Sequence, residues 1–346
     1  QLPMELQDSS LRLMQRLMCC ILVLPPRPQL YLKLLYSLSI LAFLFLITFW
    51  RFQFKYEVNY DFFNDYFSRG VDLIIFVALV FGHLITSIEM IWRNRSCIID
   101  RKFQELQSTM REKLGHEVHQ QRIKFQCNAI FAFLFLRLLV LAIMTLMNLT
   151  TTKTYYLYVM NFYSETLEIL RCCEFLLHAV LVMSTYQELN SVSCQIILEI
   201  ESNKAMSIHR IFVVQELHEL LCRTQREIEK NFEHSLIVIM LKNFVDTSVI
   251  PYWMYVSRRF PNFALHAWCV SEEIAKLLEV ILPCWIYTRC DYLQRKLRSQ
   301  FHGISKGRSD EELNLALLRI SSQLAQERCL CRIGGLINLN NEMLGR

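Results

Sequence analysis

Glycine and proline are scarce in this chain of 346 residues, which contains 8 Gly and 7 Pro. So little glycine argues against a dinucleotide-binding α/β fold, a phosphate-loop enzyme or a β-sandwich, since these folds need Gly at tight turns. Charged residues are also few, at 20%, compared with about 25% in an ordinary soluble domain. No catalytic His/Cys/Asp constellation stands out, and we therefore predict that the chain is not an enzyme.

Apolar residues are in excess, at 53% of the chain with 23 Phe, and the mean hydropathy is +0.25. The core of a bilayer is crossed by about 20 mostly apolar helical residues. Two segments meet that requirement cleanly, 31–50 and 71–92, and a third, 126–148, carries one charge, Arg137.

Three further segments have the length of a span but contain several charges, namely 162–186, 233–256 and 265–288. A central charge costs about 2.5–3.5 kcal/mol on insertion scales. These segments therefore suit the inside of a bundle, where charges face partners or water. The sequence predicts an all-α polytopic membrane bundle over residues 31–288, with six complete spans.

The basic residues predict the orientation of the bundle. One set of segments (1–30, 93–125, 187–232 and 289–332) holds 25 Lys and Arg, whereas the alternate loops hold 6. Cytoplasmic loops carry the excess of basic residues. We therefore expect residues 1–30 to be a cytoplasmic N-terminal segment, and we interpret the net charge of +5 as an orientation signal that does not indicate nucleic-acid binding.

The predicted cytoplasmic segments have helical patterns. Residues 191–232 contain no Pro or Gly and repeat apolar residues with a helical period, so spans four and five are expected to continue into the cytoplasm. Ser309 and Glu312 form a capping-box pattern at the start of a helix over 310–323. Its predicted apolar stripe consists of Leu313, Leu317, Leu318 and Leu324. Burial of these stripes favours a packed assembly over separate solvated helices.

The 13 cysteines predict neither disulfides nor a metal site. Most lie in predicted spans or on the cytoplasmic side, where thiols stay reduced. The Cys329-Leu330-Cys331 spacing is wrong for a zinc knuckle. We expect no cofactor.

The segment Gly335-Leu336-Ile337-Asn338-Leu339-Asn340 resembles the Gly-Leu-Phe-x-hydrophobic-Asn stretch before the last membrane helix of the insect gustatory receptors, relatives of the insect odorant receptors. In that family a short cytoplasmic helix precedes this stretch and a seventh span follows it. The resemblance identifies residues 289–346 as a cytoplasmic anchor helix and the start of a truncated last helix. The family's Thr-Tyr and Gln-Phe hallmark is expected beyond Arg346.

The resemblance implies a ligand-gated cation channel for a small-molecule tastant. It further implies a homo- or hetero-tetramer with other gustatory receptor subunits, in the lipid of a sensory-neuron plasma membrane on the dendrite. The alternatives are a seven-helix G-protein-coupled receptor, which the predicted cytoplasmic N-terminus opposes, and a transporter, for which the sequence shows no internal repeat.

Polar and aromatic residues in the outer halves of the later spans are candidate ligand contacts, since small-molecule pockets combine stacking faces with a few directed polar groups. The candidates are Glu165, Glu168, Arg171, Asp246, Trp253, Trp268 and Glu272. The same charges could instead form structural ion pairs at helical spacing. Those pairs would be the ladder Glu168–Arg171–Glu174 and the pairs Lys242–Asp246 and Glu272–Lys276.

Two polar residues in or beside the spans have simpler interpretations. His83 is expected to be a satisfied buried histidine. Asn148 begins an Asn-Leu-Thr glycosylation sequon, but its position at the end of span three, next to the membrane, argues against modification.

Overall fold

The described part of the chain is almost entirely helical. The computed structural model describes residues 30–53, 66–116, 119–149, 155–201, 207–257, 263–304, 311–327, 331–333 and 337–339. The helices in these ranges are α1 (Leu30–Gln53), α2 (Tyr66–Trp92), α3 (Ser96–Leu114), α4 (Gln120–Leu149), α5 (Tyr155–Glu201), α6 (Ser207–Ser257), α7 (Phe263–Ile304) and α8 (Glu311–Gln326). Two short strands, β1 (Arg332–Ile333) and β2 (Ile337–Asn338), pair antiparallel.

Four of these helices contain stretches that are long and apolar enough to cross a membrane. The stretches are Leu30–Phe49, Leu73–Trp92, Gln121–Leu146 and Ile208–Tyr252. They coincide with or include most of the predicted spans one, two, three and five. The predicted spans 162–186 and 265–288 lie on α5 and α7, whose charges lower their hydropathy, and the total of six spans stays a prediction.

Three helices are much longer than a bilayer core is thick. Helices α5, α6 and α7 contain 47, 51 and 42 residues, which corresponds to roughly 63–77 Å at 1.5 Å per residue. A bilayer core is about 30 Å thick. Each helix must therefore continue well beyond any membrane that it crosses, as the sequence predicts for spans four and five.

Helix α5 lies at the centre of the bundle. It packs against α2, α4, α6 and α7, and every residue from Thr166 to Ser184 is buried. A helix that is buried all round has no solvent face to receive its polar residues. The charged side chains of α5 must therefore be paired inside the protein.

Helices α1 and α4 have apolar outer surfaces. On α1, which packs against α2, Leu35 and Phe45 are 62% and 70% exposed. On α4, Phe135 and Leu136 are 70% and 60% exposed. Large apolar side chains exposed in continuous rows suit contact with lipid.

The predicted cytoplasmic helices pack together. Helix α3 packs on α6, and α8 packs on α6 and α7. Helix α8 begins one residue after the predicted helix over 310–323 and ends three residues beyond it. Leu313, Leu317 and Leu324 are buried, but Leu318 is 52% exposed. The prediction for Leu318 was wrong. Ala316, Leu317 and Ile320 belong to the buried face of α8, and Leu318 points away from that face. The predicted N-cap Ser309 lies outside the described residues.

The β1–β2 hairpin after α8 was not predicted from the sequence. Ile337 pairs with Ile333, and the Leu339 N–H donates to the Cys331 carbonyl oxygen at 3.0 Å. Strand β1 packs against α6, where the Arg332 N–H donates to Glu229 Oε1 at 3.1 Å. The predicted start of a last helix lies outside the described residues.

The cysteines that the structure describes form no disulfide. Burial, reinforced by the nearby Glu229 carboxylate, raises the pKa of the Cys331 thiol well above its ordinary value. Such a thiol stays neutral and unreactive, as expected for a structural cysteine.

Candidate functional site

Four helices bring charged side chains together inside the bundle. Helix α4 contributes one residue, α5 and α6 contribute two each, and α7 contributes three. We call this group the charged cluster, and its members are Arg137, Glu165, Glu168, Lys242, Asp246, Glu272, Lys276 and Glu279. All of them lie within predicted spans three to six.

Lys242 on α6 is the most highly connected cation of the cluster. Its side chain is 1% exposed, and its Nζ lies 2.5 Å from Glu165 Oε1 and 2.9 Å from Glu168 Oε2. Asp246, one turn further along α6, lies 3.5 Å away. A buried ammonium is stable only when it is paired in this way. Lys242 thereby ties α5 to α6.

Lys276 brings α7 into the same network. Its Nζ lies 3.1 Å from Glu165 Oε2 and 3.4 Å from Asp246 Oδ2. Glu165 and Asp246 are therefore shared between Lys242 and Lys276. Each carboxylate contacts cations from two helices, so a shift of one helix changes the pairing of the others.

Arg137 on α4 closes the cluster from the other side. Its Nη1 lies 2.5 Å from Glu272 Oε1, and its Nε lies 3.1 Å from Glu279 Oε1. The second Glu279 oxygen accepts a hydrogen bond from Asn243 Nδ2 at 2.9 Å. The guanidinium thus spans two turns of α7, and Glu279 connects that helix to α6.

The charged cluster holds more negative than positive formal charge. It contains five carboxylates and three cations. Glu168 Oε1 is buried and accepts no hydrogen bond from the described residues. An unsatisfied buried acceptor costs about 1–3 kcal/mol, which a donor group from a bound molecule would recover.

Helix α2 approaches the same carboxylate at Gly82, and His83 is the next residue along the helix. A Cβ at Gly82 would clash with Glu168 Oε1. His83 is fully buried beside Tyr163, with ring centroids 5.1 Å apart, and neither ring nitrogen has a hydrogen-bond partner among the described residues. The expectation that His83 is satisfied was therefore wrong within the described part of the chain, since the neighbour that packs on its ring, Tyr163, makes a ring contact and no hydrogen bond to it.

Arg171 belongs to a second network, separate from Glu168. Its Nη1 pairs with Glu174 Oε2 at 2.8 Å, and its Nη2 lies 3.4 Å from Glu89 Oε2. Its Nη2 also donates to the Asn231 carbonyl oxygen. The Phe232 ring lies beneath the guanidinium carbon at 4.0 Å. The guanidinium is thus engaged on its edges and one face by the protein itself.

Glu89 and Glu174 extend this second network to the helix junctions. Glu89 accepts the backbone N–H groups of His234 and Ser235 at 2.8 and 3.0 Å. Ser96 Oγ, at the start of α3, donates to Glu174 Oε1 at 3.1 Å. These bonds connect α2, α3, α5 and α6 to one another. We therefore interpret the second network as one that stabilises the bundle.

The candidate ligand contacts predicted from the sequence do not all lie together in the structure. Glu165, Glu168, Asp246 and Glu272 lie in the charged cluster, whereas Arg171 does not. Trp253 and Trp268 lie on α6 and α7, but their side chains, like those of Asn148 and Asn338, are outside the described part. Gly335, Leu336 and Asn340 lie outside it altogether.

The alternative ion pairs from the sequence are present in part: Arg171 pairs with Glu174 but not with Glu168. Lys242 pairs with Asp246 at i,i+4 spacing. Glu272 instead pairs with Arg137, and Lys276 with Glu165 and Asp246. The site residues predicted from the sequence did not include Arg137, Glu279 or Gly82. A charge within an apolar span was the available signal for Arg137, since such residues face bundle partners.

The sequence matches a family model and a known insect protein. A family model described as "7tm Chemosensory receptor" matches residues 16–346. The Drosophila melanogaster protein "Putative gustatory receptor 98a" is 35% identical over 357 residues, an alignment that covers 100% of this chain and 89% of that protein.

The fold is similar to that of a solved insect receptor. The olfactory receptor OR5 from Machilis hrabei matches with a TM-score of 0.61 at 14% identity, covering 90% of this chain and 85% of that one. Its complex with eugenol matches with a TM-score of 0.62 at 13% identity, covering 97% and 94%. This likeness confirms the all-α membrane bundle.

Membership in a protein family follows from the match of the family model to nearly the whole chain and from the sequence identity to the Drosophila relative. It confirms the resemblance drawn from the sequence and the prediction that the chain is not an enzyme. This multi-pass membrane protein belongs to the 7tm chemosensory receptor family and is a homologue of insect gustatory receptors.

Proposed function

We propose that this chain is a gustatory receptor subunit that acts as a ligand-gated cation channel in the dendritic plasma membrane of a sensory neuron. We further propose that a small-molecule tastant binds against the charged cluster. The relative's name and the presence of eugenol in the OR5 complex support a ligand-binding role. The observation that carries the proposal is the buried cluster itself, because charges within spans are costly and mark functional sites.

The chemistry of the cluster favours ligands that offer hydrogen-bond donors or a positive charge. Carboxylates outnumber cations in it, and Glu168 Oε1 lacks a donor among the described residues. His83 lies one residue from Gly82 and offers a ring that can donate or accept. A compound with an amine or several hydroxyl groups would satisfy these atoms, whereas a purely apolar odorant would not.

A route from ligand binding to gating is provided by the long helices. Glu165, Lys242 and Lys276 join α5, α6 and α7, and these three helices extend into the predicted cytoplasmic assembly. A ligand that re-pairs Glu168 or Lys242 would favour one arrangement of the three helices over another. Such differential contact is what a conformational shift requires.

Assembly as a tetramer, with identical or other gustatory receptor subunits, is the second part of the proposal. Helix α8 buries one face against α6 and α7, while Leu315 and Leu318 on its other face are 56% and 52% exposed. Exposed leucines on a helix that is predicted to face the cytoplasm suit contact with a neighbouring subunit. We expect the seventh helix, after Asn340, to line the pore.

Expression of the complete gene product in oocytes, alone and with co-receptor subunits, tests this function. We expect a panel of amine and polyol tastants to evoke a cation current. Absence of any conductance in cells with confirmed surface expression would contradict the channel. Uptake of a labelled compound without current would instead favour a transporter, and a response that requires G proteins would favour the seven-helix receptor alternative.

A further inference from the structure

A third polar group lies far from the charged cluster, at the predicted cytoplasmic end of the bundle. Helix α3 ends at Leu114, and Gly115 adopts a left-handed conformation with φ of 63°. The Gly115 and His116 N–H groups donate back to the Arg111 and Met110 carbonyl oxygens, a C-terminal capping pattern. This cap turns the chain and aims His116 at α5.

His119 precedes α4 and reaches the same point on α5. The target is Glu188, whose side chain is 5% exposed. Its Oε2 lies 2.8 Å from His116 Nε2 and 3.1 Å from His119 Nδ1. Its Oε1 accepts the backbone N–H of His119 at 3.3 Å. Three groups from two residues thus converge on one carboxylate.

We propose that His116, His119 and Glu188 form a binding site for a divalent transition-metal cation of the zinc class. One ligand atom from each residue lies within 4.8 Å of the others. Ligand atoms around tetrahedral zinc are about 3.3 Å apart, given metal–ligand distances near 2.0–2.1 Å. The observed nitrogen–oxygen separations of 2.8 and 3.1 Å are close to that edge, so only a small opening of the cluster is needed.

The donor set selects the class of metal. Two imidazoles and one carboxylate suit zinc and its neighbours, whereas calcium and magnesium prefer oxygen ligands. Three protein ligands leave a fourth position for water. Glu188 also lines a cleft between α3, α4 and α5 with room for about one water molecule. His119 is 68% exposed, which gives the ion a path from solvent.

A second group, His218, Cys222 and Glu327, also has metal-ligand spacing. It is less suitable because His218 is fully buried and its Nε2 already lies 3.3 Å from Gln294 Nε2. The same Gln294 amide donates to the Leu324 and Glu327 carbonyl oxygens. A metal would have to displace this packed amide.

Zinc titration of the purified complete receptor tests the inference, with affinity measured by competition with a fluorescent zinc chelator. We expect zinc to bind and to raise the thermal unfolding midpoint, because a ligand of the folded state stabilises it. His119→Ala and Glu188→Gln should each weaken zinc affinity at least about tenfold. His209→Ala removes an exposed histidine outside the group and should leave the affinity unchanged.

Cys222→Ser distinguishes the two groups of metal-ligand spacing. An affinity lost in Cys222→Ser and kept in His119→Ala would assign the metal to the other group and overturn the proposal. Equal affinities in His119→Ala and His209→Ala, or no binding by the wild-type receptor, would also overturn it. Because His119 is exposed, His119→Ala is expected to fold. Its zinc affinity therefore tests the proposal even if Glu188→Gln does not fold. None of these measurements requires channel activity.

Discussion

At the scale of single residues, the candidate site is defined by the pairing of buried charges. The sequence identified Glu165, Glu168, Asp246 and Glu272 as unusual at membrane depth, and these residues lie in the charged cluster. Their partners could not be deduced from spacing. Arg137 and Glu272 are 135 residues apart in the chain, and Lys242 and Glu165 are 77 apart. Helical spacing predicts partners on one helix only.

Gly82→Ala is expected to disturb the cluster from outside it. The new Cβ would displace the Glu168 carboxylate from Lys242, and an overpacked core site costs about 1–3 kcal/mol. Gly70→Ala on the same helix is the matched control, because nothing lies within 4 Å of its added Cβ. Ala in a helix is favoured over Gly by about 0.8–1.0 kcal/mol, so Gly70→Ala should be neutral or stabilising. Thermal unfolding of the two purified variants compares them, and equal effects would contradict the packing at Gly82.

Lys242→Met is expected to cost about 3–5 kcal/mol, since it leaves buried carboxylates without their shared cation. Combining it with Glu168→Gln should recover part of that loss, with a coupling of about 0.5–3 kcal/mol. Arg223→Met, which breaks the exposed Arg223–Glu219 pair, should cost about 0–1 kcal/mol. Denaturant unfolding in micelles gives these values, and strictly additive effects of the two cluster substitutions would argue against their contact.

At the scale of elements, the helices were more predictable than the hairpin. The capping-box pattern and apolar stripe predicted a helix over 310–323, and α8 at Glu311–Gln326 agrees with it to within three residues. A two-residue strand has no period to detect, so β1 and β2 were missed. The helical period of apolar residues over 191–232 predicted the extension of α5 and α6. Ile196, Ile200, Ile211 and Val214 of this pattern are buried.

Neighbouring leucines on α8 test its packing. Leu317 is 1% exposed, whereas Leu318 is 52% exposed. Leu317→Ala should destabilise the subunit by about 2–5 kcal/mol because it opens a cavity. Leu318→Ala should change subunit stability by no more than about 0.5 kcal/mol, and we expect it to weaken assembly instead. Thermal unfolding and native mass spectrometry separate the two effects; a larger destabilisation from Leu318→Ala would contradict the orientation of α8.

At the scale of the whole molecule, the distribution of basic residues predicts a cytoplasmic N-terminus. An epitope tag at residue 1 should be stained only after cells are permeabilised. A tag inserted at 260, between α6 and α7, should be stained in intact cells. The opposite pattern would contradict the predicted orientation and would place the proposed zinc site outside the cell.

We propose that the tastant which opens the channel binds at the charged cluster, and the dose–response of tastant-evoked current in single variants tests this binding. Once an activating amine or polyol is found, Glu168→Gln should raise the half-maximal concentration at least about tenfold, the equivalent of about 1.4 kcal/mol, at unchanged surface expression. Arg223→Met should leave the dose–response unchanged. An unaltered half-maximal concentration in Glu168→Gln would contradict this proposal.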